Sequence, residues 1–166
     1  DPGDDAAMGR AGRAALRTAQ CAARPRSSRR APDLGHAPQA LAAGINAGAV
    51  AVHKEHHTAY YPGAENVTVL LVYNQETAEI LGGQTAGYKS ADKRLDVIAT
   101  AISANLTISD LADIDLSYSP PIGTPNDAIN MAAYVAENRQ TGFSPSITVS
   151  ELDGFVEGRN PVFIDV

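Results

Sequence analysis

The sequence contains few of the residues that crosslink a small protein or anchor one in a membrane. Of its 166 residues one is a cysteine, Cys21, so an internal disulfide framework is excluded. Tryptophan is absent and aromatic residues make up 5%, which makes the core mainly aliphatic. No apolar run approaches the roughly 20 residues of a membrane-spanning helix. We therefore expect a soluble, cytoplasmic protein without membrane contacts.

The net charge of −6 is distributed unevenly along the chain. Residues 1–33 contain seven Arg and four Asp, a balance of +3, whereas residues 34–166 contain six basic and fifteen acidic residues, a balance of −9. Because the phosphates of nucleic acids require a positive surface, the acidic body argues against nucleic acid as a partner.

Residues 1–33 are rich in Ala, Arg, Pro and Ser and contain almost no large apolar side chain. Such a segment cannot bury enough surface to offset the entropy of ordering, so we predict a disordered arm. It could also be an organellar transit peptide or an anion-binding arm. We favour a further alternative, that it is non-native sequence translated out of frame from GC-rich DNA. Cys21 lies here without a nearby His and is interpreted as an incidental thiol.

Apolar patterns in the following segment predict an antiparallel sheet. Residues 47–53 form a short first strand, and residues 67–73 form the clearest strand, with apolar residues on both faces. Residues 79–87 return as its antiparallel partner after a polar turn. Gly82 and Gly83 in that strand indicate a bulge or a close backbone approach.

Three helices are predicted after the strands. The first begins after Ser90 as its cap, and the second is short, with a cap at Thr107 or Ser109. The third is amphipathic and covers residues 125–137. The apolar stripe of the first helix consists of Leu95, Ile98, Ala99, Ile102 and Leu106. Helices on one side of an antiparallel sheet define an α+β fold.

Three stretches in a fixed order carry a resemblance to a known family. They are HKEHHTAYYPGA at residues 53–64, DKRLDVIATAI at residues 92–102 and LSYSPP at residues 116–121. Together they resemble the C-terminal dimerisation domain of the pyridine nucleotide-disulfide oxidoreductases, in the branch of coenzyme A disulfide reductase, NADH oxidase and NADH peroxidase. The similarity runs over more than half of the chain and places this domain at residues 34–142.

The resemblance implies part of an enzyme that uses FAD and NAD(P)H to reduce a disulfide, polysulfide or peroxide. It implies a homodimer in which Tyr60 and Tyr118 reach the partner subunit's flavin and active cysteine, with Tyr118 at the cofactor. A tyrosine hydroxyl can donate a hydrogen bond to a developing thiolate or act as a general acid. Tyr61 is a further candidate. The alternative is that all three are packing residues or interface anchors.

Two departures from the family pattern put coenzyme A as the substrate in doubt. Asn126 stands where many coenzyme A disulfide reductases carry a Lys, and Ile122 where many relatives have an aromatic residue. The chain also lacks a Gly-x-Gly-x-x-Gly fingerprint and the family's redox cysteine motif. We therefore expect the FAD and NAD domains to belong to missing parts of the same enzyme, and this fragment alone to bind neither cofactor.

Residues 143–166 change character after a Ser-Pro-Ser linker. A short helix opening at residues 148–152 and a strand at residues 161–166 resemble the start of a rhodanese domain, which one branch of the family carries behind the dimerisation domain. A strand and one helix cannot bury their faces alone, so we expect a truncated domain here.

The remaining charged and histidine-rich features have simpler interpretations. His53, His56 and His57 would group as metal ligands only on a helix, and the Tyr-Tyr-Pro-Gly that follows favours strand and loop, so no metal is expected. Lys93 and Arg94 are predicted to form a charged helix face with local ion pairs. The rival to a reductase domain is a noncatalytic α+β module that only self-associates.

Overall fold

The computed structural model describes residues 18–22, 45–147 and 151–164, the first of these as backbone only. The predicted strands and helices of the central segment are all present. In chain order, the elements are β1 Thr18–Ala22, β2 Ala47–Glu55, β3 Asn66–Asn74, β4 Ile80–Ala86, α1 Ala91–Ser103, α2 Ile108–Ala112, α3 Ala128–Gln140 and α4 Leu152–Val156.

The sheet has the strand order β1-β4-β3-β2. β3 is antiparallel to both β2 and β4, with Leu71 opposite Val50 on one side and Gly83 on the other. β1 runs parallel to β4. Buried side chains of α1, α2 and α3 share one core with one face of β3, which confirms the predicted α+β class.

β3 is buried on both faces, as its uninterrupted apolar sequence predicts. Its residues in the main core, beneath the helices, are Val67, Val69, Leu71 and Tyr73. On the opposite face, a smaller cluster consists of Ala49, Leu70, Val72 and Leu81. The alternation of side chains along a strand therefore separates two apolar clusters across the sheet.

The glycines of β4 mark both a bulge and a close approach. The pairing register between β3 and β4 shifts at Val72 and Tyr73, where β4 passes from Gly82 to Ile80. At Gly83, an added Cβ would lie 2.8 Å from Cδ1 of Ile98 in α1. α1 can therefore pack against the sheet only because this position has no side chain.

The helix ends agree with the predicted caps at two helices and differ at one. Thr107 caps α2 in a capping box with Asp110, as expected. Ser90 occupies the N-cap position of α1, as predicted, but it has a left-handed conformation, φ 55°, and its side chain makes no capping hydrogen bond. α3 begins at Ala128 rather than near Pro125, because the Asp127 carboxylate accepts a hydrogen bond from Ile129 N and starts the helix there.

Parts of the two ends of the chain are also described. β1 lies within residues 1–33, the predicted disordered arm, and pairs with the edge of β4, which has open backbone donors and acceptors. The rest of residues 1–33 lies outside the described residues. Residues 161–164 form no strand, and the remainder of that predicted strand is not described. No described helix is long and apolar enough to cross a bilayer.

Candidate functional site

Two loops carry the predicted site tyrosines. The 56–65 loop joins β2 to β3 and carries Tyr60, and the 113–127 loop joins α2 to α3 and carries Tyr118. Tyr60 is 77% exposed and Tyr118 46% exposed. The two phenols lie close enough to interact. The fold therefore brings together two phenols that are far apart in the sequence and presents both at the surface.

The environment of Tyr118 favours its protonated form. Partial desolvation, followed by the charge and the hydrogen bond of Tyr60, raises the pKa of Tyr118 above its ordinary value. A raised pKa keeps the Tyr118 phenol in its neutral, protonated form at physiological pH. This pair can therefore present a hydrogen-bond donor to an anionic group that approaches from outside the chain.

Tyr61, the third candidate, has a packing environment. Its ring meets that of His57 edge-on, with centroids 5.7 Å apart and an interplanar angle of 89°. The His57 ring lies in turn 4.2 Å from that of His56. Within this stack Tyr61 stiffens the loop that presents Tyr60, which fits the packing alternative for Tyr61.

Thr58 connects the two tyrosine loops directly. Its hydroxyl donates to Pro120 O at 2.8 Å, and its backbone N–H donates to Gly123 O at 3.1 Å. Thr58 is itself buried. The 56–65 loop is therefore bonded to the 113–127 loop at two points, one of which lies two residues from Tyr118.

A buried ion pair lies beneath the loops. Arg94 of α1 donates to Asp127 through Nε at 3.0 Å and Nη2 at 2.6 Å, with both side chains at most 3% exposed. The same guanidinium donates to Ser90 O at 3.0 Å and to His56 O at 2.8 Å. The expected exposed face with local pairs was therefore wrong for Arg94. Its planar fork instead joins α1, the 56–65 loop and the start of α3.

Asp127 combines the ion pair with the cap of α3. Its backbone N–H donates to Asn130 Oδ1 at 3.0 Å, which completes the capping box. The Asn130 amide then donates to carbonyls at the end of α2, including Ala112 O at 3.1 Å and Ile114 O at 2.9 Å. The 113–127 loop is therefore fixed at both of its ends.

The sequence contains a signal for the buried arginine that the prediction did not use. Arg94 precedes Ile98 by four residues and Ile102 by eight, so it lies on the same helical stripe as the two most buried isoleucines of α1. The predicted stripe began at Leu95, which is only half-buried. Thr58 carries no comparable signal, because its partners are backbone carbonyls of a distant loop.

The three histidines have separate bonding partners. His53 Nδ1 bonds to Thr68 Oγ1 at 2.8 Å, and His57 Nδ1 bonds to Thr58 O at 3.0 Å. His56 is buried, and its Nδ1 accepts a hydrogen bond from Glu65 N at 3.1 Å. Among the described residues, no group of three or more His, Cys, Asp or Glu gathers to hold a metal ion.

Burial lowers the pKa of His56, although the bond that a protonated ring can donate from Nδ1 to Glu65 O, at 3.0 Å, acts in the opposite direction. The folded protein therefore favours the neutral imidazole. The contribution of His56 to stability is fully present above the unfolded pKa of about 6.5. It is lost as the pH falls from there through the lowered folded-state pKa, since the unfolded chain then binds the proton more readily.

We expect His56→Asn, which keeps an acceptor near the Nδ1 position, to reduce the loss of stability between pH 8 and pH 5. The difference from the wild type should be about 1.4 kcal/mol for each unit by which folding lowers the pKa. Urea unfolding at several pH values measures this difference in stability. Comparing the two profiles removes the contribution of the carboxylates, which both proteins share. Parallel stability profiles for the two proteins would show that His56 does not titrate in this way.

The two departures from the family pattern flank the site. Ile122 is 51% exposed in the 113–127 loop, and Asn126 is exposed next to the capping Asp127. Thr124 Oγ1 donates to Asn126 O at 2.6 Å, so the Asn126 backbone is held while its side chain faces outward. This rim of the site therefore has an apolar and a neutral polar residue, and no positive charge at these two positions.

Comparison with known proteins places this geometry in a family. Residues 36–128, more than half of the chain, match the model of the pyridine nucleotide-disulphide oxidoreductase dimerisation domain. Coenzyme A disulfide reductase from Staphylococcus aureus (strain JH9) is 36% identical over 81 residues, which cover 49% of this chain and 18% of the relative. The enzyme of that name from Staphylococcus epidermidis (strain ATCC 35984) is 32% identical over 88 residues, 53% of this chain and 20% of the relative.

Solved structures show the same correspondence. Reduced CoADR-RHD of Bacillus anthracis superposes with a TM-score of 0.70 at 41% identity, covering 73% of this chain and 22% of that chain. A NAD-dependent persulfide reductase from A. fulgidus gives a TM-score of 0.66 at 33% identity, covering 69% and 21%. The chain thus spans about a fifth of the length of these relatives. It belongs to the pyridine nucleotide-disulphide oxidoreductase family and carries that family's dimerisation domain.

Proposed function

We propose that this chain pairs with a second copy and supplies Tyr60 and Tyr118 to the partner's active site in a FAD-dependent NAD(P)H:disulfide reductase. The substrate is a coenzyme A disulfide, a polysulfide or a peroxide. The observation that carries the proposal is the presence of two exposed, neighbouring phenols, Tyr60 and Tyr118, on two loops that are hydrogen-bonded to each other. Hydroxyl groups held in advance of the reaction can donate to a developing thiolate without reorganisation.

The chain's own residues fit a contributing role towards the cofactors. The exposed phenols can face a flavin held elsewhere, whereas the sequence has no Gly-x-Gly-x-x-Gly loop to hold its pyrophosphate. When bound, FAD would supply the transfer of electrons from NAD(P)H to a redox cysteine. The FAD and NAD(P)H sites, and that cysteine, belong to other domains of the proposed enzyme.

The relatives point to sulfur substrates of more than one size. They include coenzyme A disulfide reductases and a persulfide reductase. At the rim of this site, Asn126 and Ile122 provide no cation for the phosphates of coenzyme A. Within the proposed range, these positions favour a smaller disulfide or a polysulfide.

Self-association is the first testable consequence. The family's dimerisation domains pair through obligate-type interfaces, which bury roughly 2,000 Å² or more. We expect the 166-residue chain to sediment as a dimer at micromolar concentration, with folding and association in one transition. A stable, folded monomer at that concentration would contradict the proposal.

The rest of the organisation is proposed on the same basis. The dimerisation domain occupies residues 34–142, and residues 143–166 are a linker and the first part of a rhodanese-like domain. Residues 1–33 precede the domain as an arm of native or out-of-frame sequence, and the setting is cytoplasmic. Reading the encoding DNA upstream in all three frames distinguishes the reductase from a noncatalytic self-association module. A strand–turn–helix with Gly-x-Gly-x-x-Gly supports the reductase.

A further inference from the structure

We propose that Thr58 is a positioning residue whose side chain holds Tyr60 and Tyr118 in register with each other. The importance of this register for turnover rests on the function proposed above. The geometry itself rests on contacts within this chain.

Thr58 and the residue that accepts its hydroxyl bond are each two residues from one of the two tyrosines. Thr58 lies two residues before Tyr60, and its hydroxyl bonds to the carbonyl of Pro120, two residues after Tyr118. Because Pro120 has a fixed φ and Pro121 follows it, the backbone that carries Tyr118 has little freedom to adjust. A hydrogen bond at this point therefore transmits its geometry to both tyrosines through short, stiff segments.

Thr58 makes two hydrogen bonds to the 113–127 loop, and together they fix the orientation of the two loops as well as the distance between them. Besides the hydroxyl bond, Thr58 N donates to Gly123 O at 3.1 Å. Gly123 is part of a turn in which Ser119 O accepts from both Ile122 N and Gly123 N at 3.0 Å. The partners of Thr58 are thus parts of one compact turn, and the 56–65 loop is attached to it at both of its ends.

The surroundings of Thr58 make its hydroxyl bond effective. Thr58 is 8% exposed, so water has little access to its hydroxyl. On the preceding residues, His56 O is held by Arg94 Nη2, and His57 Nδ1 bonds to Thr58 O at 3.0 Å. The base of the loop is therefore anchored independently. Removing the Thr58 hydroxyl alone should displace the tyrosines without releasing the loop.

Thr58→Val removes the hydroxyl at nearly constant shape, and Thr58→Ser keeps it. The matched control is Thr100→Val, because the exposed Thr100 hydroxyl bonds only to Asp96 O in its own helix. In the 166-residue chain, ¹³Cζ NMR titration measures the pKa of Tyr118, and nuclear Overhauser effects between the two side chains report the separation of Tyr118 from Tyr60. If Thr58→Val does not fold, Thr58→Ala removes the same donor without adding a methyl group.

We expect the Thr58→Val exchange to return the pKa of Tyr118 towards its ordinary value of about 10 and to increase the separation of the two phenols. The Thr58→Ser and Thr100→Val variants should keep both wild-type signals. In the longer enzyme, kcat should fall about 10–10²-fold with KM little changed, since a small misplacement of a reacting group has effects of this size.

The outcomes separate this inference from the proposed function. An unchanged Tyr118 pKa and an unchanged separation of the two tyrosines in Thr58→Val and Thr58→Ala would overturn the positioning role, whatever the rates. A displaced pKa with a wild-type kcat would uphold positioning and refute the catalytic use of the tyrosines.

Discussion

Replacing Tyr118 by Phe in the longer enzyme is expected to slow reduction of the disulfide-type substrate about 10²–10³-fold, the usual effect of losing one well-placed donor in a dry active site. The Tyr118 phenol lies beside Tyr60 and has a raised pKa, so it stays protonated and can act as a donor. Dimerisation and folding should be unaffected, because the hydroxyl is at the surface and makes no contact with the core. Steady-state rates and sedimentation measure the two properties.

Tyr73→Phe is the matched control. It removes the same hydroxyl from a tyrosine that is 1% exposed in the strand β3 and lies against Gly48. We expect it to change stability and leave turnover unchanged. Equal, near wild-type rates for both variants would show that Tyr118 is an interface anchor, as the packing alternative holds.

Mixed dimers test whether Tyr118 acts on the partner's site. One subunit carries Tyr118→Phe, and the other lacks the redox cysteine of the longer enzyme. If the tyrosine acts across the dimer, one of the two sites combines an intact cysteine with an intact tyrosine, and activity returns to about half of the wild-type level. If it acts within its own subunit, both sites stay defective and the mixture remains inactive.

The strands and helices could be predicted because their signals are local. Alternation in residues 67–73 identifies β3 and both of its faces, and Thr107 with Asp110 identifies the start of α2. Gly83 indicates that another part of the chain packs closely against β4, but the sequence does not identify that part as Ile98. These features depend on neighbours a few residues away, which is the range over which sequence patterns are informative.

The candidate site could be predicted only in part. Tyr60 and Tyr118 follow from a family resemblance and not from any local pattern. Thr58, Asp127 and the carbonyl partners of Arg94 could not be found, because each bond joins loops that only the completed fold brings together. A hydrogen bond to a backbone carbonyl cannot be predicted from residue types, because every residue has such a carbonyl. For the same reason, the pairing of β1 with β4 does not follow from the composition of residues 1–33.

Arg94 and Asp127 give the second large prediction, which concerns stability. Arg94→Met should lower the free energy of unfolding by about 3–5 kcal/mol, the usual cost of removing one partner of a buried pair. The reason is that Asp127, 3% exposed, would keep a charge that water cannot reach. His56 O and Ser90 O would also lose their donor. Urea unfolding of the 166-residue chain, at fixed concentration, measures the change.

Two further variants identify the ion pair as the cause. Lys93→Met removes the neighbouring charge, whose contacts to Ser117 are long, at 3.4 and 3.5 Å, and should change stability by less than about 0.5 kcal/mol. The double variant Arg94→Met/Asp127→Asn should be less damaging than the sum of its single variants, since no unpaired charge then remains buried. Strict additivity, or a loss below about 1 kcal/mol in Arg94→Met, would mean that the pair contributes little to the fold.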